Sequence, residues 1–190
     1  MRVQFLRVEP ARLIVAVNLD YFNARFIDPT IPKKELDPAG ISFNTGYFHK
    51  GRSLGDQWYR GVQYGEPHQK GPRPQLILKH VATEAGPTLI VDGRSVLRSS
   101  TVIGGFEPDV ARKTKHVAVG YASELLILAY YQSATLEAIA SELPEVVRKE
   151  LNMKLDWAMN CDGGGSAHLH VLGIKRGRKE PVVGVELSWK

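Results

Sequence analysis

The chain has 190 residues, 43% of them hydrophobic and 24% charged, with a net charge of +5. That composition excludes a disordered tract and a fibrous repeat, and no apolar run nears the ~20 residues of a membrane-spanning helix. The single cysteine excludes an internal disulfide and a cysteine zinc cluster.

Residues 1–190 read as one domain, since no linker, repeat or low-complexity segment interrupts them. Arg7 and Glu9 break the N-terminal apolar stretch too early for a signal peptide, so the cytoplasm is the default expectation. The 25 Lys and Arg against 20 Asp and Glu favour an anionic partner. The charge is spread along the chain. Its densest cluster, Lys175-Arg176-Gly177-Arg178-Lys179, is predicted to be an exposed hairpin turn. No aromatics interleave it, so nucleic acid is not the expected partner.

In chain order, Val3–Val8 and Leu13–Leu19 are predicted strands, the second apolar throughout at Leu13–Val17. Asp28–Gly40 carries Pro29, Pro32 and Pro38, which cannot donate to a ladder, and is predicted to be loop. Ile41–Asn44 alternates like a short strand. Gly46–Pro74, rich in glycine and aromatics, suits hairpins or long loops. Gln75–Val81, Thr88–Val91 and Val96–Val102 follow as strands, with Asp92-Gly93 as a hairpin turn. Val117–Tyr121 and Leu125–Tyr131 form the next strand pair. Leu136, Ile139, Ala140 and Leu143 then fall on one helical face, with Ser133 or Thr135 as cap. Pro144 is predicted to stop or kink that helix before a second one through Val146, Val147 and Leu151. Leu155–Asn160, Ala167–Ile174 and Val182–Leu187 close the chain as strands. The predicted class is α+β: a mixed or mostly antiparallel sheet with one main helix pair.

The chemically informative segment is Asn160-Cys161-Asp162-Gly163-Gly164-Gly165-Ser166. Three successive glycines cost chain entropy and pack nothing, so they suit either a plain turn or a close approach of backbone to ligand. Strand alternation places Asn160 and Asp162 on one face, and Met159 and Cys161 on the other, toward the core. Cys161 therefore reads as a buried structural thiol rather than a nucleophile. His168 and His170 share a face, but two ligands do not make a metal site. Tyr47, Phe48, Trp58, Tyr59 and Tyr64 offer a sugar platform or core. Asp20, Asp28 and Asp37 suit turns.

This segment is similar to the Asn-x-Asp-Gly-Gly-Gly-Ser signature of the phosphodiester glycosidase domain family, which includes bacterial proteins of exopolysaccharide biosynthesis. The resemblance continues in order through Phe43-Asn44-Thr45-Gly46-Tyr47-Phe48, Gly86–Gly93, Ala118-Val119-Gly120 and Thr135–Ala140, covering about 43–171. Four positions depart from the pattern. His116 stands where the family has arginine, with Arg112 and Lys115 nearby. Thr45 replaces the first glycine of Asn-Gly-Gly. Ala167 and His168 replace Ser and Thr after the glycines.

The resemblance implies a hydrolase that cleaves a sugar from its phosphodiester link, with no cofactor and no metal. Breaking the anomeric C–O bond expels a phosphate monoester. This leaving group is better than an alkoxide, so the acid that ordinary glycosidases need is less essential. A carboxylate must then stabilise or attack an oxocarbenium-like centre, or activate water, while cations and N–H donors hold the phosphate. Asp162, Asn160 and Asn44 are the implied catalytic residues. Gly163, Gly164, Gly165, Ser166, His116, Arg112, Lys115 and His168 are the implied substrate-binding residues. The expected partner is a small molecule or glycan bearing phosphate; the oligomeric state is left open. Two alternatives stay open. One is a non-catalytic phosphosugar-, nucleotide- or glycan-binding module in the same cleft. The other is a basic nucleic-acid-binding or structural protein.

Overall fold

The computed structural model describes residues 2–31, 35–49, 52–65, 73–97 and 110–190, with 47–49 and 52–54 as backbone. Its strands in the first half are β1 (Val3–Glu9), β2 (Arg12–Asn18), β3 (Phe22–Ile27), β4 (Ile41–Asn44), β5 (Tyr47–His49), β6 (Arg52–Leu54), β7 (Gln57–Tyr59) and β8 (Val62–Gln63). There follow β9 (Gln75–Leu78), β10 (Val81–Glu84), β11 (Thr88–Val91), β12 (Arg94–Ser95), β13 (Thr114–Ala122) and β14 (Leu125–Ala134). After α1 (Leu136–Leu151) come β15 (Trp157–Gly163), β16 (His168–Val171), β17 (Ile174–Gly177) and β18 (Gly184–Trp189).

The strands form a seven-stranded sheet ordered β1-β2-β14-β13-β15-β11-β12 and a five-stranded sheet ordered β17-β16-β4-β18-β3. A four-stranded sheet, β8-β7-β10-β9, and the hairpin β5-β6 complete the described fold. Every ladder among the described residues is antiparallel. In the five-stranded sheet β4 lies between β16 and β18.

The seven-stranded sheet is covered on both faces, and its sequence shows why. Leu13, Val15 and Val17 of β2 enter the core shared with the other sheets, while Ile14 and Ala16 enter the core beneath α1. The same alternation splits Val117 and Val119 from Ala118 on β13. A strand buried on both faces must be apolar throughout, as Leu13–Val17 is.

The α+β expectation with a helix pair is corrected: the described fold is mostly antiparallel sheet with a single helix. Pro144 lies inside α1 without dividing it. A proline in a helix interior costs ~3 kcal/mol. Against that, Leu136, Ile139, Ala140, Leu143, Val146 and Val147 form one buried stripe. At roughly 1.5–3 kcal/mol for each larger side chain, the stripe outweighs the proline. Thr135 Oγ1 caps the start by accepting from Ala138 N at 3.0 Å, and Asn152 ends the helix in the left-handed region at φ 54°.

Two further expectations change. Gln75–Val81 divides into β9 and β10 at a turn where Lys79 takes φ 56°. The basic cluster at 175–179 is not a hairpin turn. Val171 pairs with Ile174, so the turn falls at Leu172-Gly173 and the cluster begins as edge strand β17. The apolar Ile174, half-buried against the core, draws the chain into the sheet before the charged run begins. The predicted strand Val96–Val102 has no strand at Val96 and Leu97, and its remainder lies outside the described residues. Among the described residues no helix is long and apolar enough to cross a membrane.

Candidate functional site

β15 carries the site, and one irregularity decides its geometry. Ala118 of β13 pairs with Asn160 but Val117 pairs with Asp162, leaving Cys161 as an extra residue on β15. Such a bulge shifts the side-chain alternation by one. Paired residues project to the same face, so Asn160 lies with Ala118 on the helix side and Asp162 with Val117 on the inter-sheet side. The expected common face for Asn160 and Asp162 is thus corrected. Met159 and Cys161 both enter the inter-sheet core, as read from the sequence.

Asp162 is 4% exposed and its carboxylate is held by three donors from described residues. Gly163 N donates to Oδ1 at 2.7 Å and Ser166 Oγ to the same oxygen at 3.0 Å. Asn44 Nδ2 donates to Oδ2 at 2.5 Å and also to the Ser166 carbonyl at 2.6 Å. Asn44 Oδ1 in turn accepts from Val182 N at 3.2 Å. The Asn44 amide therefore ties β4 of one sheet to the end of β15 in the other. Burial raises the Asp162 pKa above the ordinary carboxylate value, against the lowering effects of Asn44, the Gly163 N–H, Ser166 and the charge of Arg178.

Asn160 and His116 form a second cluster beside the first. His116 Nδ1 lies 3.0 Å from Asn160 Oδ1; an amide oxygen only accepts, so Nδ1 carries the proton. Asn160 Nδ2 reaches the Gly86 carbonyl at 3.4 Å. His116 Nε2 is buried and has no hydrogen-bond partner of ordinary geometry among the described residues. Burial lowers the ring's pKa, with Asn160 and the Ala134 carbonyl opposing. Burial thus disfavours the charged ring, whereas the arginine of the family pattern would be charged at every ordinary pH. A Cβ on Gly163 would lie 3.3 Å from His116 Nδ1, so Gly163 is the junction of the two clusters.

The glycine turn continues with Gly164 at φ +68° and Gly165 exposed. It leads into β16, where His168 is 1% exposed. His168 Nδ1 donates to the Arg178 carbonyl at 2.7 Å, so Nε2 accepts from Ser42 Oγ at 2.9 Å. His170 Nε2 accepts from Gly173 N at 3.0 Å. Both ring pKa values are lowered, chiefly by burial. His168 is thus a buried strut beside Asn44 rather than a group at the surface.

Arg112 is exposed, and Lys115 half-buried, in the residues leading into and beginning β13. Neither makes a described contact with Asp162. Cys161 is fully buried, and burial foremost, then the Asp162 charge, raises its pKa. Of the aromatics offered as a sugar platform, Trp58 is exposed, Tyr59 and Tyr64 pack partly against the core, and the side chains of Tyr47 and Phe48 lie outside the described residues. Asp28 is buried and accepts from Thr30 N, Asp37 accepts from Ala39 N, and both build turns as predicted.

Sequence reasoning missed Ser42 and Arg178. Ser42 was legible, since Ile41-Ser-Phe-Asn44 alternates and sets Ser42 on the face of Asn44. Arg178 was hidden within a run of like charges. A cavity of about 390 Å³ is lined by Gly93, Pro144, Arg148, Met153 and Lys154 among others. Val91 pairs with Trp157, so that cavity lies at the opposite end of β15 from Asp162 and takes no part in the site.

No protein-family model and no curated protein sequence matches the chain. Solved structures do. One is the catalytic domain of zebrafish N-acetylglucosamine-1-phosphodiester alpha-N-acetylglucosaminidase, auto-inhibited by its pro-peptide. It is similar with a TM-score of 0.65 and 18% identity, over 94% of this chain and 76% of that one. A hypothetical protein from Synechocystis is similar with a TM-score of 0.63 and 14% identity, over 99% of this chain but 61% of that one, less than two thirds of its length. At these identities the likeness is one of fold: the chain shares the architecture of a phosphodiester glycosidase catalytic domain.

Proposed function

We propose that the chain hydrolyses a glycosyl phosphodiester, with Asp162 as its essential carboxylate. The observation that carries this reading is the fixing of Asp162. Three donors hold it, two on Oδ1 and one on Oδ2. A carboxylate oxygen accepts two bonds, so Oδ2 keeps one lone pair uncommitted among the described residues. Burial keeps that carboxylate more basic than an exposed one. A basic, immobile carboxylate suits stabilising positive charge at an anomeric carbon, or taking a proton from the water that attacks it. The phosphate monoester departs with the bonding electrons and needs no strong acid. The shared fold with a glycosidase of this kind supports the same reading.

The site imposes a second requirement. A phosphate drawn close to Asp162 meets a like charge, worth about 4 kcal/mol at roughly 4 Å and an effective dielectric near 20. A cation must offset it.

The test is turnover of N-acetylglucosamine-1-phosphodiesters and related sugar phosphodiesters by the wild type and by Asp162→Asn. The variant should lose activity roughly 10³-fold or more, as essential groups do. Its stability should fall by about 1–3 kcal/mol, because one donor then faces an NH2. Near-normal turnover in the variant would remove Asp162 from the mechanism. A wild type that binds sugar phosphates but turns none over would leave a binding module instead. The 4% exposure of Asp162 favours that second reading.

A further inference from the structure

We propose that Arg178 is the cation that receives the phosphate of the ligand at this site, presented there by the docking of the β17 end onto Ala167. The inference rests on the phosphodiester reading for its substrate class. It takes its position from the backbone bonds that fix Arg178 beside Ala167; the effect of its charge on Asp162 agrees with that position.

Gly177 closes β17 opposite His168. It takes φ +75°, and a Cβ there would stand 2.0 Å from the Ala167 carbonyl oxygen and 2.9 Å from the Tyr130 ring. Only glycine lets the chain come this close. The next residue is then pinned at both ends of its peptide frame. Arg178 N donates to the Ala167 carbonyl at 2.8 Å, and the Arg178 carbonyl accepts from His168 Nδ1 at 2.7 Å. Ala167 directly follows Ser166, which bonds Asp162. Arg178 is thus anchored one residue from the glycine turn, with its side chain exposed.

Its guanidinium forms no ion pair among the described residues. By contrast, Arg7, Arg12, Arg25 and Lys154 are committed to Glu150, Glu142, Glu186 and Asp92. The charge of Arg178 reaches Asp162 and lowers its pKa. A cation placed to offset that carboxylate is placed to hold an anion brought beside it. Guanidinium suits phosphate, because its planar fork can donate two parallel bonds. His116 is less suited to the task, because its Nδ1 is committed to Asn160 and burial disfavours its charge.

The experiment is calorimetric titration with inorganic phosphate and with glucose 1-phosphate at low salt. It compares wild type, Arg178→Gln and Lys179→Gln, each with a thermal melt and a turnover assay. Lys179→Gln removes the same charge one residue further along and controls for general electrostatics. Wild type and Lys179→Gln should bind alike, and Arg178→Gln about tenfold more weakly, the loss of one charge-assisted contact. Its melting temperature should be unchanged, because both anchoring bonds use only backbone atoms of Arg178. Equal affinity in all three proteins, equal losses in both variants, or no phosphate binding by the wild type would each overturn the proposal. Turnover that ignores Arg178→Gln would sink this assignment and leave the hydrolase reading standing. Phosphate binding that depends on Arg178, without turnover of any phosphodiester, would uphold Arg178 and sink the hydrolase.

Discussion

Two neighbouring residues on one strand meet opposite fates: Cys161 is sealed in the core while Asp162 is the best-held polar group of the site. The thiol has no polar role in this arrangement. Cys161→Ala should keep ligand binding and turnover and lose about 1–2 kcal/mol through the small cavity left behind. Burial raises its pKa, so iodoacetamide should modify the native protein slowly and the unfolded protein fast. Rapid alkylation of folded protein, or selective loss of activity at normal stability, would make the thiol functional. The neighbourhood of Asp162 was partly legible in the sequence. Asn44, Asp162 and Ser166 were named together, and they bond one another. The partnership of Asn160 with His116 was not legible, because a one-residue bulge reverses the alternation and carries no compositional mark.

Helix α1 shows the same limit for a whole element. Its apolar period was plain, yet Pro144 argued for two helices, and only the sheet beneath it reveals that burial wins. The proline still costs what prolines cost. It removes one N–H from the ladder and crowds the carbonyl of Ala140, four residues before it. Pro144→Ala should therefore raise stability by about 1–3 kcal/mol, read as a higher urea midpoint at unchanged m-value. No gain would mean that the half-buried ring packs as well as an unbroken helix would. The strands tell the converse story. β2 and β14 were readable because both faces are covered. β9 and β10 were fused in the reading because Lys79 makes their turn without a glycine or asparagine to announce it.

The balance of buried titratable groups sets how the whole molecule responds to acid. His116, His168 and His170 all have lowered pKa values, with burial the first cause in each. Lys175 adds to the lowering at His168 and His170, while Glu180 and Asp37 oppose it at His168 and His170 respectively. Below about pH 6.5 the unfolded chain binds protons that the folded one refuses, so stability falls as pH falls. Asp162 has the opposite sign. Its raised pKa makes the folded state bind the extra proton, so its contribution declines as pH rises above the unfolded carboxylate value. Three histidines against one aspartate give a protein less stable at pH 5.5 than at 7.5 in urea titrations. His170→Gln keeps an acceptor for the Gly173 N–H, removes one titration and should flatten part of that slope. Equal stability of the wild type at both pH values would contradict the buried neutral histidines.

The position of β4 between β16 and β18 also sets the order in which the site comes into being during translation. β4 is among the early strands to emerge from the ribosome, yet both of its hydrogen-bonding neighbours are encoded after residue 167. At roughly 5–20 residues per second, Asn44 waits on the order of ten seconds for β18. Through that interval Ile41 and Phe43 have no sheet to enter, and β4 offers two bare edges to any other nascent chain. Such a segment is a natural client for chaperones that hold extended apolar strands. The Asn44–Asp162 bond, which joins the two sheets, can close only after β15 has emerged, more than a hundred residues behind Asn44.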